Sequence, residues 1–178
     1  MEISELDAQA LLTAPKTLVQ GRGWIRKENR TGRDAVLNYE ARIMVETSLP
    51  QGLRFRVSFF PTGSDNATFQ LEIQPEATRG VLWLYRLEWR PKTGHANGFQ
   101  GPPELQGLIF APGETHEHIC TDHIAPIERR ILKPGVCAAR KIHVDFTDYI
   151  SALNYVCDKL NIINREEIPP RNTQAELI

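Results

Sequence analysis

The sequence has few cysteines and lacks any long apolar stretch. Its three cysteines form no CxxC pair, and an odd number suits a reducing compartment better than a framework of disulfides. The N-terminal segment lacks the basic flank and the uninterrupted apolar core of a signal peptide, and no stretch approaches the roughly 20 apolar residues of a membrane span. We therefore expect a cytoplasmic protein that has no membrane partner.

An excess of either charge is missing as well. The 178 residues include 21 Lys and Arg against 22 Asp and Glu, which gives a formal net charge of −1. This balance removes the overall attraction to phosphates that is typical of nucleic-acid-binding proteins, although it leaves a local basic patch open. Hydrophobic residues make up 41% and charged residues 24%, which predicts an ordinary globular chain with one core.

Alternating apolar and polar residues predict an antiparallel sheet. The segments with this pattern are 34–46, 53–60, 67–73 and 81–90, and shorter extended segments follow at 108–110 and 115–120. In the fourth segment we expect Val81, Trp83, Tyr85, Leu87 and Trp89 to share one inward face. Leu82 and Leu84 make the start of the other face apolar, which indicates a central strand that is partly covered on both sides. The basic segment that precedes residue 34 is predicted to be a connection.

Two helices accompany these strands. Ser4 and Asp7 predict the cap of a short N-terminal helix that ends before Pro15. Apolar residues three and four positions apart predict a longer helix over 146–162, which Asp145 or Thr147 caps.

The predicted fold class is α+β. It consists of an antiparallel sheet of about five or six strands packed on one main C-terminal helix, with a short N-terminal helix. Residues 1–163 are predicted to form a single domain. Residues 164–178 have paired prolines and little apolar content, which predicts a C-terminal tail.

One segment, GETHEHICTDH, contains three of the five histidines. On an extended backbone His116 and His118 project to the same side about 7 Å apart, so that their imidazoles can converge on one metal ion. His95, Asp122 or Cys120 is a candidate to complete such a site, with zinc as the candidate cofactor. A polar strand edge explains the same residues without a cofactor, because histidines also hydrogen-bond to backbone or water.

A metal-assisted hydrolase needs further groups around the two histidines. Glu114 lies on their side of the strand and is a candidate catalytic base. Arg86 or Arg90 is a candidate to stabilise the negative charge that develops on a phosphate. We expect the histidine pair to lie at a solvent-reachable rim of the sheet.

A second candidate site is the basic segment around Trp24. Trp24 could stack on a base while neighbouring cations neutralise phosphates. The cations concerned are Arg22, Arg26, Lys27, Arg30 and Arg33. Solvated loop charge explains the same composition, since acidic residues dilute the patch.

The order of several short motifs resembles a family of small prokaryotic proteins of unknown function. The motifs are ALLTAPK, Trp24, LYRLEWR followed by GHANG, the His-x-His strand and the closing helix. The resemblance implies a cytoplasmic α+β domain of bacterial and phage accessory genomes, in the company of defence, toxin–antitoxin or anti-defence genes. It marks as matching positions Arg86, His95, Asn97, His116 and His118.

Two functions from different classes follow. The first, supported by this resemblance and by the lack of a specific catalytic signature, is a non-enzymatic accessory protein that docks on a protein partner. The second is a metal-dependent phosphoester hydrolase or nuclease that uses the cluster around His116 and His118. A nucleic-acid-binding module that uses Trp24, Arg26 and Arg30 is a further alternative.

Overall fold

The computed structural model of the protein describes residues 4–28, 35–61, 65–74, 80–99, 101–122 and 137–170. Over these residues the chain forms two α-helices and nine strands. In chain order they are α1 (Glu5–Thr13), β1 (Lys16–Glu28), β2 (Ala35–Val45), β3 (Leu53–Phe60), β4 (Asn66–Ile73), β5 (Leu82–Trp89), β6 (His95–Ala96), β7 (Ile109–Phe110), β8 (His116–Ile119), β9 (Ala139–Lys141) and α2 (Tyr149–Lys159). Within this part of the chain, neither helix is long and apolar enough to span a membrane.

Seven of the strands form one sheet in the order β1-β2-β3-β4-β5-β8-β9. Every neighbouring pair in it is antiparallel. The strands β6 and β7 form a separate antiparallel ribbon that the chain inserts between β5 and β8. The predicted α+β class, its antiparallel sheet and its two helices are confirmed, whereas the sheet has more strands than predicted.

The strand β1 accounts for much of this difference, because it occupies the basic segment that was predicted to be a connection. Its register against β2 shifts between Val19 and Arg22 and again between Arg22 and Ile25. Each shift interrupts the alternation of side chains, so the period of two is hidden in the sequence. The last strand, β9, has only three residues and is too short to show any period.

The inner face of the sheet is apolar and packs against the helices. Alternate residues of β3 from Leu53 to Phe59 are buried, as the alternation predicts. The ring of Tyr149, at the start of α2, lies 5.6 Å from the rings of both Phe59 and Phe69. Such burial of large side chains supplies about 1.5–3 kcal/mol each, so this face is the core of the fold.

The outer face is polar. In-register neighbours on this face include Asn38 with Ser58, Arg56 with Gln70, and Arg86 with His118. The β6–β7 ribbon folds back onto the outer face at β8 and β9. The ribbon thereby places its side chains over the end of the sheet, in contact with β8 and β9.

The helix α2 is shorter than predicted. It begins after Asp148, whose carboxylate accepts a hydrogen bond of 2.7 Å from the backbone N–H of Ser151, while the Ser151 side chain bonds the backbone of Asp148. This capping box sets the start of the helix three residues later than predicted from Asp145. The helix ends at Lys159 rather than at residue 162.

The predicted inward face of β5 is wrong in its first half. A register shift between Leu71 and Glu72 pairs Glu72 with Trp83 but Leu71 with Tyr85. The extra residue reverses the alternation, so Leu84 is buried and Trp83 is only half-buried. From Tyr85 onward the predicted face is buried.

A buried lysine joins the two helices to the first strand. The Lys16 ammonium is sealed from solvent and donates hydrogen bonds to the carbonyls of Leu12 (3.0 Å), Ala14 (2.7 Å) and Leu160 (2.7 Å). These carbonyls lie at the carboxyl ends of α1 and α2, where helices leave acceptors unsatisfied and attract positive charge. The Lys16 side chain therefore caps the carboxyl ends of both helices.

The residues that follow α2 lie along β1. Asn164 exchanges hydrogen bonds with the backbone of Leu18, at 2.8 and 3.0 Å. The indole of Trp24 donates to the carbonyl of Pro169 at 2.9 Å, and Ile168 is buried. Residues 164–170 of the predicted tail are thus in contact with the sheet, and residues 171–178 lie outside the described part of the chain.

Candidate metal centre

Three histidines meet on the outer face of the sheet. The strand β8 directs His116 and His118 to the same side, and the β6–β7 ribbon brings His95 over them. The ring of His95 lies 4.6 Å from that of His116 and 5.5 Å from that of His118. One ring nitrogen of each histidine lies within 4.8 Å of the others, so the group could hold a metal ion.

Two features position the ribbon that carries His95. The Asn97 side chain donates to the carbonyls of Leu105 (2.8 Å) and Ala139 (2.7 Å) and accepts from the N–H of Ala139 (2.8 Å), which ties the ribbon to β9. At Gly94 a Cβ atom would lie 2.4 Å from the carbonyl oxygen of Phe110, so any side chain there would push the ribbon apart. The resemblance marks Asn97 as a matching position, and in the structure its side chain positions the ribbon that carries His95.

The backbone sets the tautomer of the two β8 histidines. Nδ1 of His116 lies 2.8 Å from the carbonyl of Glu114, and Nδ1 of His118 lies 2.6 Å from the carbonyl of Cys137. A carbonyl only accepts, so each Nδ1 carries the hydrogen and each Nε2 of the neutral ring keeps a lone pair. Both Nε2 atoms are buried and have no hydrogen-bond partner among the described residues.

The site is more enclosed than predicted. His116 and His118 are 0% and 4% exposed, whereas the sequence predicts them at a solvent-reachable rim. The covering ribbon accounts for the difference, because it places Phe110 4.7 Å from the ring of His116. His95, which is half-buried, is the member of the group nearest to solvent.

A carboxylate that the sequence analysis missed faces both unpartnered nitrogens. Oε2 of Glu88 lies 3.7 Å from Nε2 of His116, and Oε1 lies 3.8 Å from Nε2 of His118. Arg86 holds this carboxylate through an ion pair of 2.7 Å. The sequence does show Arg86 and Glu88 on the polar face of β5. Their position beside the histidines becomes clear only from the pairing of β5 with β8.

Two of the three histidines have lowered pKa values. Burial, with a smaller electrostatic effect of the neighbouring His116, lowers the pKa of His118 to about 4, against the opposing effect of the hydrogen bond to the Cys137 carbonyl. Burial, followed by the electrostatic effect of His116, also lowers the pKa of His95. A neutral imidazole is the form that binds metals, so both rings are ligand-competent across the physiological range.

The spacing fits a tetrahedral metal ion after a small contraction. Zinc–nitrogen bonds of about 2.0–2.1 Å place two ligand nitrogens about 3.4 Å apart. The nitrogens here lie within 4.8 Å, so each ring needs to shift by about an ångström or less. Three protein ligands leave a fourth position for water or substrate, which is the arrangement of catalytic zinc sites.

Comparison with known proteins does not help to interpret this site. No protein-family model, curated protein or solved structure matches the chain. The chemistry of the centre therefore has to be inferred from its own residues.

Glu114, the predicted catalytic base, is held by groups outside the three histidines. The Glu114 carboxylate bonds Lys141 (2.8 Å) and the N–H of Ala111 (2.9 Å), and the Lys141 hydrogen bond lowers its pKa. The strand β8 ends at Ile119, and the 3₁₀ turn Cys120–Asp122 interrupts the predicted alternation. Among the described residues, the metal-competent group consists of the three histidines, and the side chain of Asp122 lies outside the described part of the chain.

The second predicted site, around Trp24, lies only partly within the described residues and stays a prediction. The Trp24 ring packs on the inner face against Tyr39 (5.8 Å) and Tyr149 (6.3 Å). Arg26 is exposed on β1, and Arg30 and Arg33 lie outside the described residues.

A buried polar network supports β8 from the inner face. The Glu117 carboxylate, 2% exposed, accepts hydrogen bonds from Tyr85 (3.0 Å), Tyr155 (3.3 Å) and Lys159 (2.6 Å). Glu117 lies between His116 and His118 in the chain and points away from them, as the alternation predicts. The network therefore anchors the strand that carries both ligands to the helix α2.

Proposed function

We propose that the protein is a metal-dependent hydrolase of phosphoesters whose ion is held by His95, His116 and His118. The observation that carries this proposal is the pair of buried, unpartnered Nε2 lone pairs that two backbone carbonyls aim at one point. A buried polar atom without a partner costs about 1–3 kcal/mol of folding free energy. Binding of a ligand to the two nitrogens would remove this cost. Hydrogen bonds to the second ring nitrogen are typical of metal-binding histidines.

The donor set favours zinc over calcium or magnesium. Imidazole nitrogen suits zinc and other late first-row metals, whereas the hard cations prefer oxygen ligands. The Glu88 carboxylate beside the two Nε2 atoms supplies the negative charge that attracts a divalent ion. Its distances of 3.7 and 3.8 Å also leave space between it and the nitrogens.

The groups around the site support hydrolysis. His95, His116 and His118 would hold the ion, which would lower the pKa of a coordinated water to about 7. Glu88 would accept the proton of the attacking water as the water oxygen bonds to phosphorus, and would return that proton to the leaving oxygen as the ester P–O bond breaks. Arg86 beside it stabilises the negative charge on the phosphoryl oxygens. Glu88 thus takes the role predicted for Glu114.

Elemental analysis tests the proposal directly. The full chain, purified after growth with zinc, is expected to hold about one zinc ion per chain. The double variant His116→Ala and His118→Ala should lose it, and the single variant His95→Ala should weaken it. The exposed His143, which lies outside the group, provides the control His143→Ala. Thermal unfolding of each variant separates loss of the ion from loss of the fold.

A hydrolase assay completes the test. The zinc-loaded chain should hydrolyse a chromogenic phosphodiester, and a chelator should abolish the activity until zinc is restored. If the folded chain takes up no zinc, or if the His143→Ala variant loses as much zinc as the double variant, the proposed centre is wrong.

Docking on a protein partner stays a prediction, as does the association with bacterial defence or its inhibition. The large exposed apolar side chains Phe99 and Ile109, which lie in and beside the ribbon, are the residues to test for such docking. A pull-down that recovers one protein with the wild type, but not with Phe99→Ser or Ile109→Ser, would support it.

A further inference from the structure

We propose that the outer face of the sheet binds a single strand of nucleic acid along a row of side chains that leads to His118. This inference rests on the proposed function, because it names the substrate class of the same metal centre. It shares Arg22 with the predicted nucleic-acid site around Trp24 but not Trp24 itself, whose ring packs on the inner face.

The row crosses the whole sheet in register. Each residue is paired with the next on the neighbouring strand, from β1 to β8. The row consists of Arg22, Glu40, Arg56, Gln70, Arg86 and His118. Neighbouring strands lie about 4.8 Å apart, so the three arginines follow one another at intervals of about 10 Å. Paired residues share a face, so the whole row lies on the outer face. Arg22 and Glu40 are exposed, Arg56 and Arg86 are half-buried, and Gln70 and His118 are buried between their neighbours.

The outer face is basic even though the whole chain is slightly acidic. Its cationic residues on the strands are Arg22, Lys27, Arg42, Arg54, Arg56, Arg86 and Lys141, and its acidic residues are Glu40, Glu72 and Glu88.

All three carboxylates are paired with arginines of the same face, Glu40 with Arg54 at 3.6 Å. Glu72 is 1% exposed and pairs with Arg54 at 2.5 Å, and Glu88 pairs with Arg86 at 2.7 Å. Arg22 and Arg42 are exposed at the far end of the face. The part of this face that reaches solvent therefore attracts a polyanion.

The shape of the face suits a single strand better than a duplex. No helix among the described residues covers this side of the sheet. Open sheet faces bind single strands by stacking bases on aromatic rings and pairing phosphates with cations, whereas duplexes are read by elements that enter a groove. Trp83 is half-buried on this face, and the Arg86 guanidinium lies 4.7 Å from its ring centroid.

The row also connects binding to the proposed chemistry. Arg86 is paired with His118, so a phosphate held by Arg86 lies beside the metal centre. Arg56 and Arg22 then bind phosphates farther along the strand. The substrate class that follows is an internal phosphodiester of a single strand rather than a small phosphate monoester.

Binding to a fluorescent oligothymidylate tests the inference without relying on catalysis. The full chain in excess chelator should bind it at about 50 mM salt and lose affinity steeply toward about 200 mM. The double variant Arg22→Gln and Arg56→Gln should bind at least tenfold more weakly, with a salt slope smaller by about 1.4, since each single-strand phosphate contact contributes about 0.7. The double variant Arg26→Gln and Lys92→Gln removes two exposed cations outside the row and should bind like the wild type.

Each other result overturns the inference and leaves the metal centre to its own test. A chain that holds zinc but does not bind the oligonucleotide has no nucleic-acid track. If polyglutamate of matched charge displaces the oligonucleotide as well as unlabelled oligonucleotide does, the face binds polyanions such as acidic proteins without preference for nucleic acid. Tighter binding of a duplex, or equal weakening in the Arg26→Gln and Lys92→Gln variant, would place the contacts elsewhere.

Discussion

The carboxylate of Glu88 faces Nε2 of His116 across two neighbouring strands, at 3.7 Å. The same carboxylate lies 3.8 Å from Nε2 of His118, and Arg86 holds it from the side. In the proposed centre, a base fixed beside these two nitrogens would reach a water on the ion. That open position would distinguish a hydrolytic centre from a structural one, in which the coordination sphere is closed.

Replacing Glu88 should separate metal binding from catalysis. The variant Glu88→Gln keeps the shape of the side chain but accepts no proton, so we expect hydrolysis of a phosphodiester to fall at least about 100-fold while zinc content is retained. Steady-state rates and elemental analysis on the same samples measure both. The exposed Glu104→Gln provides the control. A large loss of activity in Glu114→Gln, with none in Glu88→Gln, would restore Glu114 as the base.

Replacing Asn97 should weaken the metal site from a distance. The variant Asn97→Ala removes the three hydrogen bonds that hold the ribbon to Ala139 and Leu105, so His95 is no longer fixed over β8. We expect zinc affinity to fall about 10- to 100-fold, measured by competition with a chromophoric chelator. Gln106 bonds a carbonyl of the same loop, so Gln106→Ala is the matched control. Unchanged affinity in Asn97→Ala would mean that His95 is positioned by other contacts.

Acid should destabilise the metal-free protein through His118. Its pKa is about 4 in the folded state, because the ring is buried, and about 6.5 when unfolded. The unfolded chain therefore binds more protons between these values, so the free energy of unfolding decreases as the pH falls from about 6.5 to about 4, by up to about 3 kcal/mol. Urea unfolding across this range, compared with His118→Gln, measures the contribution. A difference between the two proteins that does not vary with pH would contradict it.

Removing the buried ammonium should destabilise the whole domain. Burial lowers the pKa of Lys16 to about 8, so the group is still charged at neutral pH and can donate its three hydrogen bonds. The variant Lys16→Met leaves three helix-end carbonyls without a donor, and we expect a loss of about 2–4 kcal/mol in urea unfolding. Lys27 is exposed on the same strand, so Lys27→Met should change stability by less than about 0.5 kcal/mol. Equal effects in the two variants would rule out the capping role.

Local pattern predicts much of the fold, because it is carried by side chains close in the chain. The alternation of β3 is confirmed by its burial, and the cap at Ser4 is observed, with its side chain accepting from the N–H of Asp7 at 3.1 Å. The strand β1 was missed because register shifts interrupt its period. The capping box of α2 was missed because Asp145, Thr147 and Asp148 are all acceptable caps by residue type.

The candidate site was predicted only in part, for a different reason. A strand of alternating residues places His116 and His118 together without further information. The return of the ribbon with His95 could be proposed from the sequence but not located. Glu88 depends on which strand pairs with β8, and long-range pairing leaves no mark within β5 itself. Non-local partners therefore account for the part of the centre that the sequence does not reveal.

The carbonyl hydrogen bonds to Nδ1 of His116 and His118 have an evolutionary consequence. The backbones of Glu114 and Cys137 orient the two rings, so mutation can change the side chains at both positions without disturbing that geometry. The proposed centre then requires only three imidazoles and one acid, carried by β5, β8 and the β6–β7 ribbon. Descendants of the same ancestor could diverge widely around so small an invariant set, and a search for the spatial arrangement would recover them more readily than one for a shared string of letters.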